Sequence, residues 1–321
     1  MKTEVLAAGP AAVAAAVEAR RSGEAVALPT ETVYGLAADA LDSDAVIKIF
    51  EAKERPAFNP LIVHLPTWSW IERVAIIRPG ERELIEILAS RFWPGPLTMV
   101  LPRTAEVPDV VAAGLETVAV RVSAHPVMHE VLQALGRPLA APSANRFGRI
   151  SPTAAAHVLD ELDGRIPLII DGGATSHGIE STIVVVRDSR IEVLRRGPVT
   201  ADQLREFGEV VEPQHRAIEA PGQLPSHYAP RSRLVLVDEA RSFRGDRSRA
   251  GLLAWRSVRA GEKFAAARVL SASGDVREAA TDLFRHMREL DALRLETIVA
   301  ETVPGKGLGE AIMDRLRRAA R

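Results

Sequence analysis

Cysteine is absent from all 321 residues of the chain. That gap excludes disulfides, thiolate zinc sites, iron–sulfur clusters and cysteine nucleophiles together. Long hydrophobic runs are missing too: nothing reaches the ~18 consecutive apolar residues that a membrane helix needs. Lysine is scarce, five against 36 arginines, so a lysine inside a motif is the more informative cation. What remains is ordinary globular composition. Apolar residues make up 47% and charged residues 26%, which argues against disorder, collagen and coiled coil. The length predicts about two domains.

Val5 to Val17 is nearly all apolar and follows Lys2, as in a signal peptide. Glu4, the Gly9-Pro10 interruption and the charged end at Glu18, Arg20 and Arg21 read instead as a short helix starting near Pro10. With no export signal and no cysteine, the expected location is cytoplasmic. The net charge of −1 is unevenly spread. Residues 1–230 carry 22 Lys and Arg against 29 Asp and Glu, a balance of −7; residues 231–321 carry 19 against 13, or +6. The basic part either meets an anionic partner such as RNA or is a solvated, arginine-rich face.

Residues 1–207 alternate helical periodicity with short apolar runs, which predicts an α/β domain. Helices are expected over Pro10–Ser22, Ser43–Lys53, Gly80–Phe92, Pro126–Leu135 and Thr153–Leu162. Strands are expected over Ala25–Leu28, Leu61–Leu65, Leu97–Leu101, Val118–Val122, Leu139–Ala141 and Leu168–Ile170. Ile183–Val186 and Ile191–Leu194 flank Asp188-Ser189, which reads as a hairpin turn and makes the sheet mixed. Residues 208–230 contain Pro213, Pro221, Gly222, Pro225 and Pro230 and read as a stiff interdomain linker. Residues 231–321 repeat the pattern on a smaller scale. Strands at Leu234–Val237, Gly251–Ala254 and Ile298–Ala300, with helices at Asp275–Asp291 and Leu308–Ala320, predict a small Rossmann-like α/β unit.

Polar residues and glycines cluster at the expected strand ends, where open α/β sheets bind ligands. Pro29 to Leu36 follows a strand; by itself it reads as a tight turn with an incidental hydroxyl pair. Lys53-Glu54-Arg55-Pro56 places two cations beside a rigid loop, a pattern that suits a phosphate chain. Lys53 also ends a helix, where a cation favours the dipole. His64 falls on an apolar strand, as a core histidine would. Ser143 and Asn145 follow another strand and equally suit a cap or turn. Arg121, on the buried side of a strand, needs an anion from protein or ligand. Gly305-Lys306-Gly307-Leu308-Gly309 lacks phosphate-loop spacing and reads as a helix-start turn.

Taken in order, these segments resemble one family. Thr30–Leu36, Lys53-Glu54-Arg55, Asn59-Pro60-Leu61, Trp93-Pro94-Gly95-Pro96-Leu97-Thr98, Ser143-Ala144-Asn145 and Gly178-Ile179-Glu180-Ser181-Thr182 are similar to the YrdC-like threonylcarbamoyl-AMP synthases. Pro221-Gly222, His227-Tyr228-Ala229-Pro230 and the trailing domain resemble the two-domain form. Ala37 and Pro225 depart from it, standing where glycine and an aromatic residue are frequent.

The resemblance implies a YrdC-like twisted open mixed sheet with helices, followed by the smaller Rossmann-like α/β domain. It implies L-threonylcarbamoyladenylate synthase activity. L-threonine, bicarbonate and ATP give threonylcarbamoyl-AMP and pyrophosphate, and downstream transferase proteins modify the adenosine next to the tRNA anticodon. It assigns Lys53, Arg55, Ser143 and Asn145 to a catalytic phosphate cradle. Thr32, His64, Arg121, Ala141 and Ser181 would take L-threonine. Asn59, Thr117, Ser151, Arg195 and Tyr228, with Arg55 and Ser143, would contact ATP, Tyr228 as part of a lid. Magnesium would arrive with the nucleotide and its waters, without protein ligands. No general base is apparent. On this reading Lys53→Ala stops turnover and leaves the fold intact. The rival is a non-catalytic RNA-binding or ribosome-assembly protein, with weak tRNA contact at the basic tail; such binding would fall steeply with salt.

Overall fold

The computed structural model describes residues 2–56, 58–213, 219–223, 227–259, 261 and 263–321. Residues 214–218 and 224–226 of the expected linker, Pro225 among them, lie outside that set. The first domain runs β1 (Glu4–Ala7), α1 (Pro10–Arg21), β2 (Val26–Leu28), β3 (Gly35–Asp39), α2 (Ser43–Lys53), β4 (Ile62–His64) and α3 (Ile71–Val74). It continues through α4 (Arg82–Phe92), β5 (Leu97–Pro102), α5 (Asp109–Ala112), β6 (Thr117–Arg121), α6 (Pro126–Leu135) and β7 (Leu139–Ala140). It closes with α7 (Ala155–Leu162), β8 (Leu168–Asp171), β9 (Thr182–Arg187), β10 (Arg190–Arg195), α8 (Ala201–Arg205) and β11 (Val210–Val211). The second consists of β12 (Arg233–Val237), β13 (Ala250–Ala254), β14 (Ala266–Val269), α9 (Val276–Ala292), β15 (Thr297–Glu301) and α10 (Leu308–Ala319).

Local chemistry explains the element ends. The Asp42 carboxylate accepts from the Asp44 and Ala45 N–H groups and starts α2. Glu54, in the left-handed region at φ 53°, ends it. Pro126 opens α6 and Gly136 (φ 63°) closes it. Asp188 and Ser189 both have positive φ, as a tight hairpin between β9 and β10 requires.

The first sheet has the order β1-β8-β2-β3-β7-β4-β6-β5-β9-β10-β11 and mixes parallel with antiparallel pairs. The second, β12-β15-β13-β14, is wholly parallel. Several strands escape the pattern reading. β3 is Gly-Leu-Ala-Ala-Asp, buried on both faces at its first four positions, so it carries no alternation. β1 lies at a sheet edge and runs into the alanine-rich segment. β14 is half-buried throughout and also an edge strand. β11 pairs with β10, which carries the first sheet past residue 207 into the stretch expected to be linker.

This topology gathers the polar loops at one place. β4 and β6 are parallel neighbours and align His64 with Arg121. β7 lies on the other side of β4, and the loop after it bridges back from Ser143 to Gly35. The second domain seats α9 and α10 against these loops. Thr281 Oγ1 donates to the Ser176 carbonyl at 3.0 Å, and Arg196 pairs with Glu310 at 2.9 Å. Gly309 opens α10 by close approach: a Cβ there would sit 1.9 Å from the Pro304 carbonyl oxygen.

Gly178 is the tightest point between the domains. Its φ is +70°, and a Cβ there would stand 2.3 Å from the Thr281 carbonyl oxygen in α9. The obstacle is backbone, which cannot swing aside. Gly178→Ala is expected to cost about 1–3 kcal/mol through overpacking and left-handed strain. Urea denaturation of the variant against wild type checks it.

Candidate active site

One cavity gathers most of the predicted residues. Thr32, Arg55, His64, Arg121, Ala141, Ser143, Ser181, Arg195 and Tyr228 all line it. Thr30, Gly35, Glu180, Pro221, Gly222 and His227 line it as well. The enclosed space is only about 50 Å³, room for a few waters. The linker residues Pro221, Gly222, His227 and Tyr228 therefore form its cover.

Each arginine is fixed by oxygen atoms. Arg121 donates to the Gly95 carbonyl at 3.1 Å and to Thr32 Oγ1 at 2.9 Å, and its Nη2 stands 2.6 Å from Glu31 Oε1. The last contact is an ion pair without hydrogen-bond alignment. The anionic partner that the sequence demanded for Arg121 is therefore a protein carboxylate. Arg55 donates to the carbonyls of Asn59 and Pro60 at 3.0–3.3 Å. Arg195 holds the Ser181 carbonyl and hydroxyl at 3.0 Å each, and the Pro221 carbonyl at 3.1 Å. Among the described residues, Arg55 and Arg195 have no carboxylate within ion-pair distance.

Lys53 differs from the expected phosphate ligand. Its Nζ is buried and donates to the backbone carbonyls of Ser143 and Asn145. It ties the end of α2 to the loop after β7 and does not line the cavity. Asn145 faces the same loop, its Nδ2 donating to the Arg146 carbonyl at 2.7 Å and the Arg149 carbonyl at 3.0 Å. Asn59 is buried behind Arg55, and neither atom of its side-chain amide has a partner among the described residues. Ser151 Oγ donates to Glu180, which reaches the cavity in its place. Thr117 begins β6 and Arg121 ends it, roughly 13 Å apart at strand rise, and Thr117 is not brought to the cavity.

The titratable groups at the cavity are pushed away from neutrality. Burial, then the nearby Arg121 charge, lowers His64 to about 3. Burial alone would raise Glu31; Arg121 and the Ser123 hydroxyl outweigh it and hold the carboxyl at about 2. Burial lowers His227 to about 3 and raises Tyr228 to about 12. Burial, then Arg195, lowers Arg55 to about 9. No neutral-range base is found among these groups, so the arrangement works by position and charge. Among the described residues no three His, Asp or Glu side chains group to hold a metal ion.

Sequence reasoning missed Glu31 and Glu180 as site residues. Both stand inside quoted motifs, Glu31 between Thr30 and Thr32 and Glu180 before Ser181, where a carboxylate on a buried loop is itself a signal.

Two outcomes follow from this geometry. Lys53→Met orphans two carbonyls, so it is expected to cost roughly 2–4 kcal/mol of stability besides lowering turnover; urea denaturation measures the loss, and an unchanged midpoint contradicts the clip. Glu31 has a depressed folded pKa, so its stabilisation is full above its usual 4.5 and lost as pH falls toward 2. The stability–pH slope over that window should be shallower in Glu31→Gln than in wild type.

Comparison with known proteins places this chain in a family. Residues 18–197 match the Sua5/YciO/YrdC family, described as telomere recombination. Residues 199–321 match the Sua5 C-terminal family, described as the threonylcarbamoyl-AMP synthase C-terminal domain. A threonylcarbamoyl-AMP synthase of Pyrococcus abyssi is 41% identical, covering 94% of this chain and 91% of the relative. One from Bacillus subtilis is 38% identical, covering 99% and 95%. The crystal structure of P. abyssi Sua5 complexed with L-threonine superposes with a TM-score of 0.88 at 36% identity, covering 99% and 98%. With both of its domains matched, the chain belongs to the two-domain, Sua5-type threonylcarbamoyl-AMP synthase family.

Proposed function

We propose that this protein is an L-threonylcarbamoyladenylate synthase. It joins L-threonine, bicarbonate and ATP into threonylcarbamoyl-AMP and releases pyrophosphate. The observation that carries this reading is the surplus of buried positive charge around one small cavity. Among the described residues Arg55 and Arg195 have no carboxylate within ion-pair distance, while Arg121 has Glu31. Such a site is stabilised by an anion, and a nucleotide triphosphate supplies one.

The threonine amine, as the free base after its ammonium loses a proton to solvent, adds to the bicarbonate carbon, and the carbon–oxygen bond breaks with loss of water to leave a carbamate. A carbamate oxygen then attacks the α-phosphorus, and the bond to the bridging oxygen breaks toward pyrophosphate. Charge develops on phosphate oxygens, so fixed cations are the main lever. Arg55, with the hydroxyl of Ser143, lies on the phosphate path, and Arg195 and Ser181 are held beside it. The unpartnered amide of Asn59 is left for the nucleotide. Thr32, His64 and Arg121 offer the threonine end, with Arg121 oriented by Glu31. Lys53 and Asn145 act through the loop they hold, and Thr117 has no part. Magnesium is carried on the nucleotide as part of the substrate. The reaction belongs in the cytoplasm, where the product passes to proteins that modify tRNA; no helix among the described residues is long and apolar enough to cross a membrane.

A nucleotide needs a pocket of roughly 300–1,000 Å³, against about 50 Å³ in the closed cavity. The linker around Tyr228 therefore lifts to admit ATP. The direct test is pyrophosphate release from magnesium–ATP, with L-threonine and bicarbonate each omitted in turn. Release that requires both supports the reading. Release without threonine, or none with all three present, overturns it.

A further inference from the structure

Arg315 and Phe284 bring the second domain up to the Tyr228 side of the cavity. Arg315 lies in α10 and has no exposed surface. Its Nε donates to Glu180 Oε2 at 3.1 Å, and its Nη1 donates to the Arg196 carbonyl at 2.6 Å. Asp314 Oδ2 stands 3.4 Å from the same nitrogen. The guanidinium carbon lies 5.4 Å from the centre of the Tyr228 ring. Phe284 of α9 stacks against that ring at 5.5 Å. Glu180 in turn accepts from Ser151 and lines the cavity.

These contacts form an unbroken chain from the C-terminal helix to both walls of the site. On one side Arg315 fixes Glu180, and through it the Ser151 hydroxyl. On the other it fixes Tyr228, whose φ of 65° is strained for a bulky residue and persists only where its surroundings enforce it. A solvated surface arginine would serve neither purpose. A fully buried guanidinium is costly; here Nε and Nη1 are paired, while Nη2 has no hydrogen-bond partner among the described residues.

We propose that Arg315 is a positioning residue for adenylate formation: it clamps Glu180 and Tyr228 together, so that the C-terminal domain sets the nucleotide side of the cavity. The clamp deepens the function proposed above and rests on that reading for its kinetic consequence. Losing it releases the linker and turns Ser151, while the threonine end around Arg121 and Thr32 keeps its own contacts. The effect is therefore unequal between the two substrates.

The test compares Arg315→Met and Arg315→Lys with wild type in the full chain. The pyrophosphate assay gives kcat and the KM for magnesium–ATP and for L-threonine. Hydrogen exchange at the amides of residues 227–229 follows the linker without any need for turnover. Arg315→Met is expected to raise KM for ATP about tenfold or more, with the threonine KM within about threefold, and to speed exchange at 227–229. Arg315→Lys keeps the charge but not the fork, and should recover part of both effects. Should Arg315→Met fail to fold, pairing it with Glu180→Gln removes the orphaned carboxylate, and the same two readouts apply. A folded variant with wild-type KM for ATP and unchanged exchange overturns the clamp. A wild-type chain that releases no pyrophosphate counts against the reaction instead, and exchange then decides the clamp alone.

Discussion

Buried positive charge is the constraint that organises this molecule. Lys53, Arg55, Arg121 and Arg195 are each at most 9% exposed; the three arginines line one small cavity with Glu180, Lys53 holds a loop next to it, and Glu31 pairs with Arg121. Like charges inside a low-dielectric interior repel strongly and lose their hydration. Carboxylates alone do not compensate them here. Backbone carbonyls do much of the work: Asn59 and Pro60 for Arg55, Ser143 and Asn145 for Lys53, Gly95 for Arg121, and Ser181 and Pro221 for Arg195. A carbonyl can serve this way only if its peptide is held still. Most of these carbonyls sit in loops adjoining strands, so the sheet acts as a rigid frame for them.

The two carboxylates give the cavity a direction. Glu31 takes Arg121, leaving that end nearly neutral and rich in hydroxyls from Thr30, Thr32 and Ser123. Glu180 is drawn away by Arg315 and Ser151. Arg55 and Arg195 then remain on the uncompensated side. On the proposed reaction this polarity sorts the substrates. The amino acid brings its own balancing ammonium and carboxylate to the neutral end, and the phosphate chain goes to the charged one. Residual positive charge is thus a cost that the fold carries until a ligand offsets it, as strained or uncompensated functional sites commonly do.

Local signals made much of this legible. The expected start of α2 at Ser43 is found, although the capping side chain is Asp42 one residue earlier, and the Asp188-Ser189 hairpin forms as its residues predict. Strands β1, β3 and β14 were hidden because alanine and glycine segments, or edge positions, carry no alternation. In the site, the motif order picked residues that the fold does bring together, from Thr32 to Tyr228. It did not show where a side chain points. Lys53 and Arg55 are two apart in sequence, yet the left-handed turn at Glu54 sends one ammonium into the loop below and the other cation to the cavity. Arg315 was invisible for another reason. It occupies a charged, amphipathic helix, and its partner Glu180 is 135 positions away. Long-range pairing of that kind leaves no trace in spacing.

The closed linker ties these points together. The arginines are anchored by backbone carbonyls, so on the proposed reaction room for a nucleotide comes from the linker side, where Pro221, Gly222, His227 and Tyr228 lie. Gly222 is needed there because a Cβ would meet the Tyr228 hydroxyl at 2.9 Å and the Arg195 side chain at 3.0 Å. The cover is therefore packed directly on a cation that the proposed reaction uses. Closure then does two things in one motion. It seats Tyr228 between Phe284 and Arg315, and it excludes water from a mixed carbamic–phosphoric anhydride that water would cleave. A second domain fused after the linker is a physical answer to that requirement. It supplies the surface on which Tyr228 packs, and on the clamp proposed above that surface sets how firmly the nucleotide is held.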